Sequence, residues 1–228
     1  MMEHSDTAKN IQITTLSVHD LTENQISQIL RLFDATYADA DHSYLLSSFE
    51  VMDWIALAMH GSTLAGFGIA DVKFVDLPRM NGLHPVATYG IACIGEDFRR
   101  MGLFSHLAKA ASQASGKLPV NNRYLNCGRT AHPVSYKYLA NIGAGGIPKP
   151  GRPLSPWHLE MLERVAALYC VKVYPGTSVV IGKGMPIGYP RLDVVATDIE
   201  HKLFENVNRD KGEALLTMSW SPDAPSGW

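Results

Sequence analysis

The stretch Val86-Ala-Thr-Tyr-Gly-Ile-Ala-Cys-Ile94 is apolar, β-branched or aromatic almost throughout, and Arg99-Arg100-Met101-Gly102 follows closely. Such a run reads as a buried strand. From Gly102 onward, Leu103, Leu107, Ala108, Ala111 and Ala114 share one helical face, which predicts a helix over Gly102–Ser115. A strand that turns directly into an amphipathic helix commits the chain to a helix layered on a sheet. The turn also has chemical content. The amides near Arg100–Ser105 open the helix and lack intrahelical acceptors. Together with the helix dipole they favour an anion, which Arg99 and Arg100 would neutralise. Gly102 lets a ligand approach the backbone closely.

Other elements surround this junction. Ile11, Ile13, Leu16 and Val18 predict a short strand. Asp20-Leu-Thr-Glu reads as a helix start, and Ile26, Ile29, Leu30, Phe33 and Tyr37 keep a helical period over Leu21–Tyr37. A shorter helix is expected near Tyr44–Val51. Trp54–His60 and Leu64–Val75, separated by Gly61-Ser-Thr, predict a hairpin. Pro78–Pro85 reads as a loop, Tyr124–Cys127 as a short strand, and Pro133–Ile142 as a helix ended by a left-handed Gly143. Gly145–Pro153 reads as an irregular Gly/Pro linker. After it come a helix over Pro156–Tyr169, a strand at Val179–Ile181, a Gly/Pro-rich loop, a helix near Asp198–Val207 and a strand at Ala214–Trp220. The expected fold class is α/β with a mixed, mostly antiparallel central sheet flanked by helices, carrying a C-terminal α/β extension.

Composition excludes several classes. The 228 residues carry a net charge of −2, so no general basic field draws the chain to nucleic acid or acidic lipid. Cys93, Cys127 and Cys170 form no C-x-x-C pair, which argues against a disulfide framework or structural zinc. The polar N-terminus does not read as a secretory signal, and no apolar run approaches a membrane span. A cytoplasmic protein without membrane or nucleic-acid partners, and without a metal, is expected.

The stretch Ile94–Leu107 resembles the acyl-CoA signature of the GNAT acyltransferase superfamily, Arg/Gln-x-x-Gly-x-Gly/Ala. Arg99 and Gly102 match its first two fixed positions, and Phe104 stands at the third. The order of elements over Ile11–Ala144 is similar as well. The resemblance implies a GNAT-like acyl-CoA-binding domain over residues 11–146, after a loose tail over 1–10. Residues 147–228 would form an extension packed on or completing the same domain. Acetyl-CoA would be the default co-substrate. Its phosphates would meet Arg99, Arg100, Met101, Gly102, Leu103, Phe104 and Ser105. Its pantetheine would bond the backbone of Ala92, Cys93 and Ile94, with Tyr124–Cys127 as the opposite wall.

The family reaction is attack of an amine on the thioester, which needs a base and an acid. The family's tyrosine acid aligns on Leu139, with Tyr138 beside it and Tyr136 half a turn away. Each of the two phenols reads equally as a packing residue. Glu96 is a carboxylate at the strand end that could act as base through water or cap the helix. His132, before Pro133, could titrate near neutrality or serve as a cap. Cys93 and Cys127 would lie near the thioester, as acyl acceptors or as inert packing, and Tyr89 could face the cleft.

Gly176–Gly184 misses P-loop spacing, and Gly182–Gly188 misses a dinucleotide fingerprint. Lys183–Arg191 could act as a lid over substrate. The sequence thus implies an acyl-CoA-dependent N-acyltransferase acting on a small-molecule or peptide amine, with the oligomeric state open. A longer-chain donor, or a CoA-binding sensor or interaction domain without turnover, are the alternatives.

Overall fold

A computed structural model describes residues 10–119, 122–192 and 197–228. The expected tail over 1–10 therefore lies outside the described residues except for Asn10. The chain adopts the expected class, a mixed α/β fold with mostly antiparallel sheet pairing and flanking helices. It divides into two compact units, Met1–Asp71 with Tyr89–Gly116, and Val72–Thr88 with Lys117–Trp228.

In the first unit the strands lie in the order β1 (Ile11–Ser17), β3 (Trp54–His60), β4 (Thr63–Asp76) and β5 (Leu83–Ile94), the last two continuing into the second unit. β1 runs antiparallel to β3 from Ile11 opposite His60 to Ser17 opposite Trp54. The predicted hairpin forms, with Trp54 opposite Ala70 and His60 opposite Thr63. Helix α1 (Glu23–Thr36) starts at a capping box in which Thr22 accepts from the Gln25 amide while the Gln25 side chain accepts from the Thr22 amide. It buries Ile29, Phe33 and Thr36, and the two-residue strand β2 (Tyr37–Ala38) follows it. Helix α2 (His42–Ser48) is capped by the Asp41 side chain.

Helix α3 (Leu103–Ala114) lies against β1 and β3 and buries Leu103, Leu107, Ala108 and Ala111. Two glycines of β4 let it settle. A methyl group at Gly66 would stand 2.8 Å from Ile94 Cδ1, 2.9 Å from the Cys93 oxygen and 3.2 Å from Leu107 Cδ1. One at Gly68 would stand 3.3 Å from Leu107 Cβ. Glycine inside a strand weakens it locally unless something approaches closely; here the approaching group is α3.

In the second unit the order is β4, β5, β6 (Tyr124–Thr130), β10 (Ala214–Ser221) and β7 (Ala144–Ile147), with β8 (Val179–Val180) also on β10. β10 is antiparallel to β6 from Leu215 opposite Thr130 to Ser221 opposite Tyr124. The C-terminal segment therefore supplies a central strand of this unit. Helix α4 (Pro133–Asn141) follows β6, and helix α5 (Pro156–Leu168) begins at a Ser155–His158 capping box. The short strand β9 (Tyr189–Pro190) and helix α6 (Asp198–Leu203) precede β10. α5 grips the loop after β4. Trp157 Nε1 donates to the Pro78 oxygen at 2.8 Å, and Arg164 Nε donates to the Asp76 oxygen at 2.9 Å.

Three local expectations are corrected. β6 runs on to Thr130 because Gly128 does not break it: the missing Cβ leaves room for the Leu139 side chain, whose Cδ1 would stand 2.8 Å from a methyl there. Gly145, Gly146 and Ile147, expected to begin an irregular linker, belong to strand β7. Gly143 is absent from the left-handed residues, and its glycine is required because a side chain would run into the Trp220 oxygen.

Gly66→Ala should destabilise the protein by about 1–3 kcal/mol, the usual cost of overpacking a filled core. Urea unfolding checks this, and an unchanged midpoint would show that α3 does not rest on Gly66.

Candidate functional site

The first unit assembles the strand–turn–helix junction. β5 ends at Ile94, and a single 3-10 turn, Glu96–Phe98, leads to Arg99. The Gly95 amide donates to the Ala65 oxygen at 2.8 Å and fixes the strand end on β4. Arg100 adopts φ 66° and Gly102 φ 73°, so the turn uses two left-handed residues. Arginine there carries backbone strain, which accumulates where a local geometry has a use. Gly102 is the N-cap residue of α3, and no side chain of the described residues caps the helix. The first helical bonds run from the Ser105 and His106 amides to the Gly102 oxygen at 3.1 and 3.4 Å.

Next to this uncapped terminus, Arg99 Nε is buried and has no hydrogen-bond partner among the described residues. An unmatched guanidinium N–H normally costs stability and calls for a partner. A methyl at Gly102 would touch nothing within 4 Å, so open space stands over the turn. Buried positive nitrogen, uncapped amides and open space together suit an anion. Glu96 is exposed, and Met101 and Phe104 are half-buried. Leu103 is turned into the core.

The other predicted residues belong to either unit. Ala92 and Ile94 are half-buried, while Cys93 is buried. Burial pushes the Cys93 thiol up to about 12, against a hydrogen bond with Thr36 that lowers it. Cys127 is likewise pushed up to about 12 by burial, against a hydrogen bond with Tyr169 that lowers it, and it donates to the Ala87 oxygen at 3.3 Å. Neither is a thiolate at neutral pH, so neither is an activated nucleophile. Tyr89 is buried.

On α4, Tyr136 is buried, donates its hydroxyl to the Pro148 oxygen at 2.6 Å and meets Phe204 edge-on. Tyr138 is half-buried. Leu139 fills the space left by Gly128. His132 caps α4, its Nδ1 accepting from the Val134 amide at 3.1 Å, which puts the ring proton on Nε2. Its ring lies 5.1 Å from that of Tyr189. Burial first, then the charges of Arg209 and His201, lower its pKa to about 4. Among the described residues no group of three or more His, Cys, Asp or Glu is arranged to hold a metal, and no helix is long and apolar enough to cross a membrane.

Sequence reasoning did not single out Tyr37 beyond its place in the helical period. Its hydroxyl donates to the Ala92 oxygen at 3.2 Å. That contact joins residues 55 positions apart, and no local pattern announces it.

No family model and no curated protein matches the sequence. Among solved structures, the chain is similar to the ribosomal-protein-S18-alanine N-acetyltransferase from Escherichia coli, at 12% identity and a TM-score of 0.46, over 95% of this chain and 99% of that one. It is similar to an aminoglycoside acetyltransferase from an uncultured soil metagenomic sample, at 19% identity and a TM-score of 0.34, over 48% and 72% of the two chains. A chain of the NatC complex bound to Gag peptide and CoA gives 14% identity and a TM-score of 0.41, over 61% and 87%. At these identities none of the likenesses assigns a role to a residue of this chain.

The state of His132 gives a pH test. Its folded pKa lies below the unfolded value of 6.5, so the unfolded chain takes up a proton that the folded one refuses between pH 6.5 and about 4. The stabilisation is complete above that window and is lost as pH falls through it. His132→Asn keeps a cap acceptor but cannot titrate. Its melting temperature should fall less steeply across the window than that of wild type, and parallel curves would contradict the assignment.

Proposed function

We propose that the protein is an acyl-CoA-dependent N-acyltransferase that transfers acetyl from acetyl-CoA to an amine by direct attack. The observation that carries this reading is the unpartnered, buried Arg99 Nε beside the uncapped N-terminus of α3. A diphosphate would supply acceptors for both. Arg99 and Arg100 would neutralise it, and the amides from Met101 to Leu103 would bond its oxygens. Adenine nucleotides in general share that chemistry. The sequence resemblance, in which Arg99 and Gly102 match the acyl-CoA signature, selects CoA among them.

Catalytic roles follow from what each group has available. Glu96 is exposed just past the end of β5 and is proposed as the base that takes the ammonium proton through water. The Tyr136 phenol is bonded to Pro148 and the His132 lone pair to Val134, so both are committed to holding the fold. Tyr138, the neighbour of the Leu139 position on which the resemblance aligns the family's tyrosine, is the proposed acid for the departing thiolate. An acyl-cysteine route finds no support in thiols held near pKa 12.

A second reading is a CoA-binding domain without turnover. It is favoured by Leu139, which places a carbon side chain packed on Gly128 where the resemblance calls for a phenol. Thiol release against a panel of amines separates the two. Turnover with any amine supports the enzyme, whereas tight CoA binding without thiol release supports the second reading.

Isothermal titration with acetyl-CoA and CoA tests the binding shared by both readings. Wild type should bind. Arg99→Ala should weaken binding by about 1.5–3 kcal/mol, as expected for a hydrogen bond to a charged group. Absence of wild-type binding at high micromolar ligand would overturn both readings.

A further inference from the structure

The Ala92 carbonyl already has a partner, the Tyr37 hydroxyl at 3.2 Å. Tyr37 follows α1 directly, and its ring packs on Phe33 with centroids 4.7 Å apart. The neighbouring Thr36 is buried and donates to the Leu32 oxygen at 2.7 Å. The residue that ends α1 is thus fastened to β5 at Ala92.

The backbone of β5 says which edge the phenol occupies. The Gly95 amide points to β4, where it meets the Ala65 oxygen. The Cys93 oxygen faces the same way, since a methyl on Gly66 of β4 would come within 2.9 Å of it. Alternation along the strand then turns the polar groups of Ala92 and Ile94 to the opposite edge. The Tyr37 hydroxyl lies on that edge. Burial above all, with Cys93 and Tyr44 adding, holds the phenol well above its usual pKa of 10, so it stays a neutral donor. At 3.2 Å the bond is long for O–H···O, where about 2.7–2.8 Å is usual, and so is readily exchanged.

We infer that Tyr37 is a positioning residue that keeps the Ala92 carbonyl aligned and yields it to the amide N–H of the pantetheine arm when acyl-CoA binds. The inference rests on the acyl-CoA reading of the α3 terminus. It adds that the arm enters by exchange for an internal donor. Removing the hydroxyl leaves the carbonyl unsatisfied in the ligand-free protein, so the arm should bind more tightly.

Calorimetric titration with two ligands tests this: CoA, and adenosine 3′-phosphate 5′-diphosphate, which keeps the phosphates and lacks the arm. Tyr37→Phe should bind CoA about three- to tenfold more tightly than wild type, the range expected for one competing hydrogen bond. Its affinity for the nucleotide should not change. Its melting temperature without ligand should drop, with CoA restoring a disproportionate share. Tyr37→Leu, which also lacks the hydroxyl, should raise the ratio of CoA to nucleotide affinity in the same direction. An unchanged or lowered ratio in Tyr37→Phe, with nucleotide binding intact, overturns the assignment of Tyr37 alone. Failure of wild type to bind either ligand overturns the acyl-CoA reading and this inference with it.

Discussion

The seating of α3 on the glycines of β4 is the contact on which the rest of the junction depends. Leu107 reaches the strand because Gly66 and Gly68 present no side chains, and Ile94 closes over the same gap. Burying a side chain such as Leu107 contributes about 1.5–3 kcal/mol, more than a cap or a surface ion pair supplies. With the body of the helix fixed on the sheet and Gly95 tied to Ala65, the intervening turn must span a set distance. Two left-handed residues, Arg100 and Gly102, accomplish this. The strain at Arg100 is thus tolerated by the packing on either side of it.

That constraint explains why the helix terminus is chemically exposed while the helix itself is buried. Leu103 is drawn into the core, so the chain arrives at the helix along the backbone of Gly102 and not through a capping serine or aspartate. The uncapped end is therefore a product of packing. Arg99, three residues before Gly102, adds a buried Nε with no hydrogen-bond partner among the described residues. The second unit handles its polar groups differently. Ser155 caps α5, His132 caps α4, Tyr136 bonds Pro148, and Tyr169 donates to the Cys127 oxygen at 2.8 Å.

Much of the first unit was legible in the sequence because its signals are local. The helix start at Asp20-Leu-Thr-Glu, the hairpin around Gly61 and the helical stripe after Gly102 each specify an element within a few residues. Reading failed where a glycine answers to a distant partner. Gly128 makes room for Leu139, and Gly143 for the Trp220 backbone, and neither need is visible along the chain. Strand β7 was hidden for the same reason, since its glycines and the Pro148 that follows it read as linker until β10 arrives to pair with it. At the candidate site, the arginines and Gly102 could be found by motif. The Tyr37–Ala92 bond and the committed states of His132 and Tyr136 are tertiary facts that residue type alone does not disclose.

The account turns on the α3 terminus as a phosphate cradle, and a crystal structure of the protein soaked with CoA tests that directly. The diphosphate oxygens should lie within hydrogen-bond distance of Arg99 Nε and of the amides from Met101 to Leu103. CoA bound elsewhere, for instance in the open pocket lined by His201, Phe204, Asn208 and Arg209 with the α3 terminus untouched, would contradict it.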